Sequence, residues 1–161
     1  MIVDLWHIGL VVSDIERAIA FYRDALGLEL RHRQDQANPY TSSLVGYEDA
    51  SLRIAQMRLP GAERGRSGHL VELIEYVNPA PDQVEAVRAR IGAGHLALQV
   101  TDIDALRPRL EAAGAVLVNE PVAITAGINT GGRAVYLTDP DGITLELVQP
   151  PAKQLVAPVA G

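Results

Sequence analysis

The sequence contains one nine-residue pattern twice, and this repeat constrains the fold more than any other feature. The two copies are His7–Ile15 and His95–Ile103. Each copy has His first, Leu at +3, Val at +5, Ser or Thr at +6, Asp at +7 and Ile at +8. Apolar residues alternate with others along each copy, and a helix-capping signal follows at Ser13 and at Thr101. Each copy therefore predicts a strand that opens near a histidine and leads into a helix.

Each half of the chain also closes with a similar strand, which carries a Glu-Leu pair near its middle. These closing segments are His69–Tyr76 and Gly142–Val148. Side chains alternate between the two faces of a strand, so His7 and Glu72 both lie opposite the apolar rows of their strands. His95 and Glu146 follow the same rule. If the apolar rows pack on the helices, the four polar side chains project together from the opposite, concave face of the sheet.

Periodicity and turn residues predict the remaining elements. Apolar residues at helical spacing indicate a helix from Ile15 to Leu26, with Gly27 as its left-handed C-terminal cap. Pro108 falls inside the second helix and is expected to kink it or to delay its start. Asp139–Gly142 fits a type I turn. The other predicted strands are Leu28–Arg33, Ser43–Tyr47, Ser51–Leu59, Val116–Val118 and Arg133–Thr138, and the predicted loops are Gln34–Ser42, Pro60–Gly68 and Thr125–Gly132.

The domain organisation follows from the length and from a proline-rich break between the halves. At 161 residues the chain can form one compact domain or two fused modules. We expect a single domain over residues 1–150, made of two modules at about 1–78 and 93–150. The linker 79–92 is expected to contain a short helix. The Pro/Ala/Val-rich residues 151–161 are expected to form a flexible tail.

Composition and charge exclude several classes of function. The net charge is -6, whereas nucleic-acid binding relies on Lys and Arg to neutralise phosphates. The chain has no cysteine, which removes disulfides, thiolate zinc sites and cysteine nucleophiles and leaves imidazole nitrogen and oxygen as strong metal donors. It shows no targeting signal and no apolar run near the ~20 residues of a membrane span. We expect a cytoplasmic protein without a nucleic-acid or membrane partner.

The order of these features resembles the vicinal oxygen chelate superfamily, which includes glyoxalase I, methylmalonyl-CoA epimerase, extradiol dioxygenases and bleomycin or fosfomycin resistance proteins. The matching pieces are His7 with Asp14, the Phe21-Tyr22 helix ending at Leu26-Gly27-Leu28, Glu72, Gly94-His95 with Asp102, and Asp139–Gly142 leading to Glu146. The resemblance implies an α+β fold in which two paired βαβββ modules form a curved, cup-shaped sheet with helices on the outer face. It also implies a homodimer, with modules paired within one chain or exchanged between two.

The resemblance further implies a metal site at the floor of the cup. In metal-dependent members the first and last strands of each module supply one ligand each, and these positions are His7, Glu72, His95 and Glu146. The strand register brings the same four residues together. Two imidazoles and two carboxylates suit a divalent first-row ion such as Zn, Ni, Co, Mn or Fe.

The implied activity is that of a metal-dependent isomerase, epimerase or lyase acting on a small oxygen-chelating substrate. Four protein ligands leave two places in an octahedron for substrate oxygens, and the metal would stabilise charge as an enediolate or enolate forms. In isomerase and lyase members the carboxylate that matches Glu146 is both ligand and base. Glu72 is the second candidate catalytic carboxylate.

Two other functions remain open from the sequence. A non-haem iron extradiol-type dioxygenase uses two His and one carboxylate, so Glu72 as a fourth ligand weighs against it. A drug-binding resistance protein would stack an aromatic drug between subunits. The chain offers little for stacking, with one Phe, one Trp and five Tyr.

The subfamily and the substrate-binding residues also remain open. Bacterial glyoxalase I has Arg and Asn for glutathione at the positions of Val11 and Tyr76, and the first strand looks more like that of the epimerase. The turn before the last glutamate differs from the epimerase pattern. Candidate substrate contacts are Tyr136, Arg133, Asn129 and Tyr47. His32 and His69 are interpreted as structural or surface residues, and Glu75 as a residue near an edge or in solvent.

Overall fold

The computed structural model describes residues 1–60, 68–83 and 87–154. The chain divides into two compact units, one ending at Gln83 and the other following it. This division falls inside the predicted linker 79–92. Most of the predicted loop Pro60–Gly68, part of the predicted linker helix and residues 155–161 of the predicted tail lie outside the described residues.

In its described residues, the first unit is a four-stranded mixed sheet with helices between its strands. Its elements are β1 (Ile8–Val11), α1 (Ile15–Ala20), β2 (Glu29–Gln36), α2 (Pro39–Val45), β3 (Ser51–Arg58) and β4 (Val71–Asn78). The strand order is β1-β4-β3-β2, with β1 parallel to β4 and the other neighbours antiparallel. α1 packs on β3 and β4, where Val71 and Leu73 are completely buried. α1 continues into a π-helical turn, and Gly27 follows at φ 83°, which confirms the predicted left-handed cap.

The second unit repeats this plan in its described residues. Its elements are β5 (Leu96–Gln99), α3 (Ile103–Ala112), β6 (Val116–Leu117), β7 (Val122–Ala123), β8 (Arg133–Thr138) and β9 (Thr144–Gln149). The strand order is β5-β9-β8-β6, and the short β7 also pairs with β8. β5 is parallel to β9, as β1 is to β4. The predicted α+β class and the repeated module are confirmed.

In both module helices the N-cap residue lies one position after the predicted cap. The sequence pattern indicated Ser13 and Thr101, whereas the N-cap residues are Asp14 and Asp102. Asp14 Oδ1 accepts from the backbone N–H groups two and three residues later, at 2.9 and 3.0 Å. Asp102 Oδ1 accepts from the N–H three residues later, at 3.1 Å. A carboxylate also carries the charge that the positive end of a helix favours, which a hydroxyl lacks.

At the N-terminus of each module helix, a side chain from the last strand of the unit, β4 or β9, accepts one more backbone hydrogen bond. The Ile15 N–H donates to Glu75 Oε2 at 3.0 Å, and the Ile103 N–H donates to Gln149 Oε1 at 3.0 Å. Glu75 also forms an ion pair with Arg53 at 2.9 Å, and its side chain is only 15% exposed. Of the two alternatives for Glu75, near an edge or in solvent, the position in solvent is therefore wrong, because this carboxylate bonds to the start of α1 and to Arg53.

Asp14→Ala is expected to lower the free energy of unfolding by about 1 kcal/mol, the usual effect of losing an N-cap side chain. The backbone N–H of Arg17 holds the pKa of the Asp14 carboxyl below its usual value. Because the pKa is lower in the folded state, this stabilisation is present above the ordinary Asp pKa and is lost as pH falls through the folded-state pKa. Urea unfolding of wild type and variant at neutral and acidic pH measures both effects. A difference that stays constant down to acidic pH would contradict this role.

α2 is the largest departure from the predicted elements. The sequence indicated a loop over Gln34–Ser42 and a strand over Ser43–Tyr47, but β2 extends to Gln36 and a helix replaces the strand. Asn38 caps this helix by accepting from the Thr41 N–H at 3.0 Å, and Pro39 occupies its first turn. Its run of Thr and Ser has low helix propensity, which explains why periodicity alone did not reveal it.

The helices of the described residues are short. α3 contains Pro108, yet it begins at Ile103 directly after its cap, so of the two effects expected of this proline, a kink or a delayed start, the delayed start is wrong. In the part of the chain that the structure covers, no helix has the length and apolar character needed to cross a membrane.

Candidate functional site

His7 and Glu72 form the candidate site of the first unit. Gly9 of β1 lies opposite Glu72 of β4, and His7, two residues before Gly9, lies on the same side of the sheet. His7 Nε2 is 3.5 Å from Glu72 Oε1, and the two side chains are 28% and 13% exposed. The amide nitrogen of Gln56 lies 3.4 Å from Glu72 Oε2. The structure therefore brings this predicted pair together.

His69 lies beside His7 and Glu72, a contact that the sequence did not predict. Its Nε2 lies 3.5 Å from Glu72 Oε2, and its side chain is 1% exposed. Its ring stacks on that of His7, with centroids 5.0 Å apart and an interplanar angle of 28°. Strand alternation would place His69 on the face opposite Glu72, but β4 begins only at Val71 and Gly68 bends the chain just before it. The interpretation of His69 as a structural or surface residue is corrected, because its ring contacts both Glu72 and His7.

His95 and Glu146 repeat the arrangement in the second unit. Ala97 of β5 lies opposite Glu146 of β9, and His95 Nε2 is 3.1 Å from Glu146 Oε2. Tyr136 of β8 is the antiparallel partner of Glu146. Its hydroxyl lies 3.4 Å from His95 Nε2, and the two rings meet edge to face at 5.2 Å. The predicted pair is in contact here too, with the predicted Tyr136 beside it.

Tyr136 is held as a neutral hydroxyl. Burial raises the pKa of Tyr136 above its usual value, and the neighbouring Glu146 carboxylate raises it further. The side chain therefore stays protonated at neutral pH. Its O–H is a donor for a carboxylate, an imidazole nitrogen or a substrate oxygen.

A small residue faces each candidate carboxylate across the parallel strands. Gly9 is opposite Glu72, and Ala97 is opposite Glu146. A Cβ at Gly9 would meet Ile74 Cδ1 at 3.4 Å, an ordinary van der Waals distance. Larger side chains at these two positions would stand beside the carboxylates, so the small residues leave space there for a ligand.

An open cavity of about 400 Å³ adjoins the His95 pair within the second unit. Its lining includes Arg88, Gly94, His95, Tyr136 and Thr144. Arg88 brings a positive charge that no sequence motif singled out, because it lies in the linker and outside the repeat. A second open cavity, of about 540 Å³, is lined by residues between Ala37 and Ala50 and by none of the candidate site residues.

The other predicted contact residues lie in different surroundings. Tyr47 is 52% exposed and meets Tyr76 edge to face at 6.1 Å. Arg133 binds a carboxylate of α3, with N–O distances of 2.5 and 3.1 Å. Asn129 lies in a turn closed by its own carbonyl, which accepts a backbone hydrogen bond at 2.9 Å. Of these predicted contacts, Tyr136 is the one that touches a His–Glu pair.

The donors of the first unit fit a divalent metal ion. One atom from each of His7, His69 and Glu72 lies within 4.8 Å of the other two. Donors held about 2.1 Å from a tetrahedral ion stand about 3.4 Å apart, close to the observed 3.5 Å separations. Imidazole and carboxylate donors together suit first-row divalent metals.

Comparison with known proteins places these observations in a family. Residues 5–147 match the Glyoxalase/Bleomycin resistance protein/Dioxygenase superfamily. The chain is 34% identical over 152 residues to a 2-epi-5-epi-valiolone epimerase from Actinomyces sp, covering 91% of this chain and 79% of that protein. It is 32% identical over 146 residues to a lactoylglutathione lyase from Haemophilus influenzae, covering 89% and 90%. A solved glyoxalase family protein from Bacillus cereus superposes with a TM-score of 0.79 at 26% identity, covering 94% of this chain and 97% of that one. The chain belongs to the Glyoxalase/Bleomycin resistance protein/Dioxygenase superfamily.

Proposed function

We propose that this protein is a metal-dependent epimerase that removes a proton from the carbon beside the carbonyl of a polyhydroxy ketone. The observation that carries the proposal is the repeated His–Glu contact, His7–Glu72 and His95–Glu146, at matching positions of two modules. The relatives support an enzyme, since one is named an epimerase and another a lyase.

The two pairs are proposed to hold one divalent ion together. Zinc sites in proteins use three or four protein ligands, more than the single histidine and single glutamate of the second pair. The ion would supply Lewis-acid stabilisation of the negative charge that develops on the substrate oxygen. Zn, Ni, Co, Mn and Fe all suit these donors.

Glu146 is proposed to take the proton, and a proton from solvent would return to the opposite face of the carbon to give the epimer. Its side chain is 20% exposed, against 13% for Glu72, and its neighbours His95 and Tyr136 line the open cavity. Each oxygen of Glu72 already faces an imidazole, and Gln56 approaches one of them. A general base must reach the substrate carbon, which favours Glu146 as the base and Glu72 as the carboxylate that mainly holds the ion.

Tyr136 and Arg88 are proposed to orient the substrate. The Tyr136 hydroxyl stays protonated and lies beside the base, so it is suited to donate to a substrate hydroxyl or carbonyl oxygen. Arg88 lines the same cavity and offers several donors to an oxygen-rich molecule. Binding through two fixed groups would hold the reacting carbon near Glu146.

A polyhydroxy ketone is favoured over a glutathione conjugate. Glyoxalase I uses Arg and Asn for glutathione, where this chain has Val11 and Tyr76. Val11 is 49% exposed, and Tyr76 packs edge to face against Tyr47, so neither residue supplies a charged contact. The relative named 2-epi-5-epi-valiolone epimerase supports a cyclic ketone with several hydroxyl groups.

Exchange of a carbon-bound proton with solvent tests this function. Metal-loaded protein is incubated in D₂O with 2-epi-5-epi-valiolone and related cyclic ketones. We expect the epimer to form and deuterium to enter beside the carbonyl, as followed by NMR and mass spectrometry. Metal-free protein is the control. No exchange with any of these ketones, under any of the five metals, would contradict the proposal.

The same preparations distinguish the competing functions. Formation of lactoylglutathione from methylglyoxal and glutathione would indicate a lyase. Oxygen consumption with a catechol and Fe²⁺ would indicate an extradiol dioxygenase. Tight binding of an aromatic drug by protein that takes up no metal would indicate a resistance protein.

We also propose a homodimer. β1 begins at Ile8, and the residues before it carry exposed apolar side chains, at Met1, Ile2, Val3, Leu5 and Trp6. Clustered exposed apolar residues often mark an interaction surface, and outer strands such as β1 and β2 tend to pair with other chains. Sedimentation velocity at micromolar concentration should give the mass of a dimer. A monomer under these conditions would contradict the expectation.

A further inference from the structure

We propose that His69 is a third metal ligand of the first unit, alongside His7 and Glu72. The inference rests on the metal dependence proposed above and adds a donor that the repeat does not contain. It is carried by the cluster in which donor atoms of the three residues lie within 4.8 Å of one another.

The spacing of the donors suits a shared ion better than hydrogen bonding. The Glu72 carboxylate presents Oε1 to His7 Nε2 and Oε2 to His69 Nε2, each at 3.5 Å. This separation exceeds the 2.7–3.2 Å of a typical N–H···O hydrogen bond. It matches the separation of about 3.4 Å between two donors of one tetrahedral ion. Both imidazoles therefore turn Nε2 toward one carboxylate, one to each of its oxygens, at a distance suited to donors of one ion.

The backbone fixes His69 in this place. Gly68 has φ 64°, and a Cβ there would collide with the guanidinium of Arg31. On the other side, the Leu70 N–H donates to the Met57 carbonyl at 3.0 Å. His69 is thus held between a turn that requires glycine and the first hydrogen bond to β3. Its buried side chain, stacked on His7, has little freedom to point elsewhere.

The second unit has no matching donor. Ile143 stands three residues before Glu146, where the first unit has His69 three residues before Glu72. In the described residues, a cluster of three possible metal donors occurs in the first unit and not in the second. The two modules would therefore differ in their roles. Three donors of the first unit would keep the ion in place while Glu146 moves to take the proton.

Counting the coordinated histidines tests the proposal without measuring activity. Metal-free protein is loaded with one equivalent of Co²⁺, whose paramagnetism shifts the ring N–H signal of each coordinated histidine far outside the ordinary ¹H NMR range. We expect three such signals in wild type. His69→Leu and His95→Leu should each lose one signal and keep two. If His69 were not a ligand, wild type would show two signals and His95→Leu would show one.

Co²⁺ affinity provides a second measurement. His69→Leu is expected to weaken binding by more than about 100-fold, beyond the 10–100-fold effect of losing a residue that only supports a ligand. His32→Leu is the matched control, because His32 is an exposed imidazole of β2 outside the cluster. It should leave the affinity and the number of shifted signals unchanged. Circular dichroism of the metal-free variants checks that each one folds.

The outcomes separate this inference from the proposed function. Three shifted signals in wild type, one of them absent from His69→Leu, would support the inference. Two signals in wild type that fall to one in His95→Leu, with tight Co²⁺ binding, would overturn it and leave the proposed metal dependence standing. Failure of wild type to bind Co²⁺ would overturn both. The counts for wild type and His95→Leu together decide the matter even if His69→Leu does not fold.

Discussion

Glu146→Gln is expected to lower turnover by roughly 10²–10⁴-fold, the usual contribution of a positioned general base. The amide keeps the shape of the side chain and one oxygen donor, but it cannot accept the proton. Metal content should therefore fall far less than turnover. Rates of epimerisation and of deuterium exchange measure the catalytic loss, and elemental analysis of the same sample measures the metal.

Glu72→Gln is the matched comparison, since Glu72 occupies the same register position in the other module. If Glu72 mainly holds the ion, its substitution should weaken metal binding, and much of the lost turnover should return when metal is added in excess. Excess metal should therefore restore much of the turnover of Glu72→Gln but not that of Glu146→Gln. Abolished proton exchange in Glu72→Gln, with intact exchange in Glu146→Gln, would reverse the assignment and make Glu72 the base.

The contact within each His–Glu pair could be predicted because it depends on strand periodicity. His7 and Glu72 both lie opposite the apolar residues of their strands, and Val71 and Leu73 beside Glu72 are completely buried. Once β1 and β4 are neighbours, alternation leaves both polar side chains on one face. The same reasoning applies unchanged to His95 and Glu146, since the repeat preserves the register.

Features outside the regular elements could not be predicted in this way. His69 precedes β4, and its position depends on the positive φ of Gly68, which periodicity does not describe. Arg88 lines the cavity beside His95 from the linker, where no pattern assigns a direction to a side chain. Asp14 caps α1 in place of the predicted Ser13. Both residue types are good caps, and the sequence alone gives no dihedral angle to choose between them.

One divalent ion per chain is expected, and His7→Ala and His95→Ala should each weaken its binding by about 100-fold or more. The two histidines lie in different units, so both substitutions can affect one ion only if both pairs bind it. His7→Ala should have the larger effect, because His7 contacts both Glu72 and His69. The comparison uses isothermal titration with Zn²⁺ or Co²⁺, and elemental analysis gives the stoichiometry.

The stoichiometry distinguishes a shared centre from two separate ones. If each pair bound its own ion, wild type would take up two ions per chain, and each substitution would remove one while leaving the affinity for the other unchanged. His32→Ala is the control for loss of an exposed imidazole and should bind as wild type does. The shared site would be contradicted if gently purified wild type contained no metal and took up none when metal was added. That result would also remove the chemical basis for assigning proton abstraction to Glu146, since a carboxylate alone is a weak base toward a carbon acid.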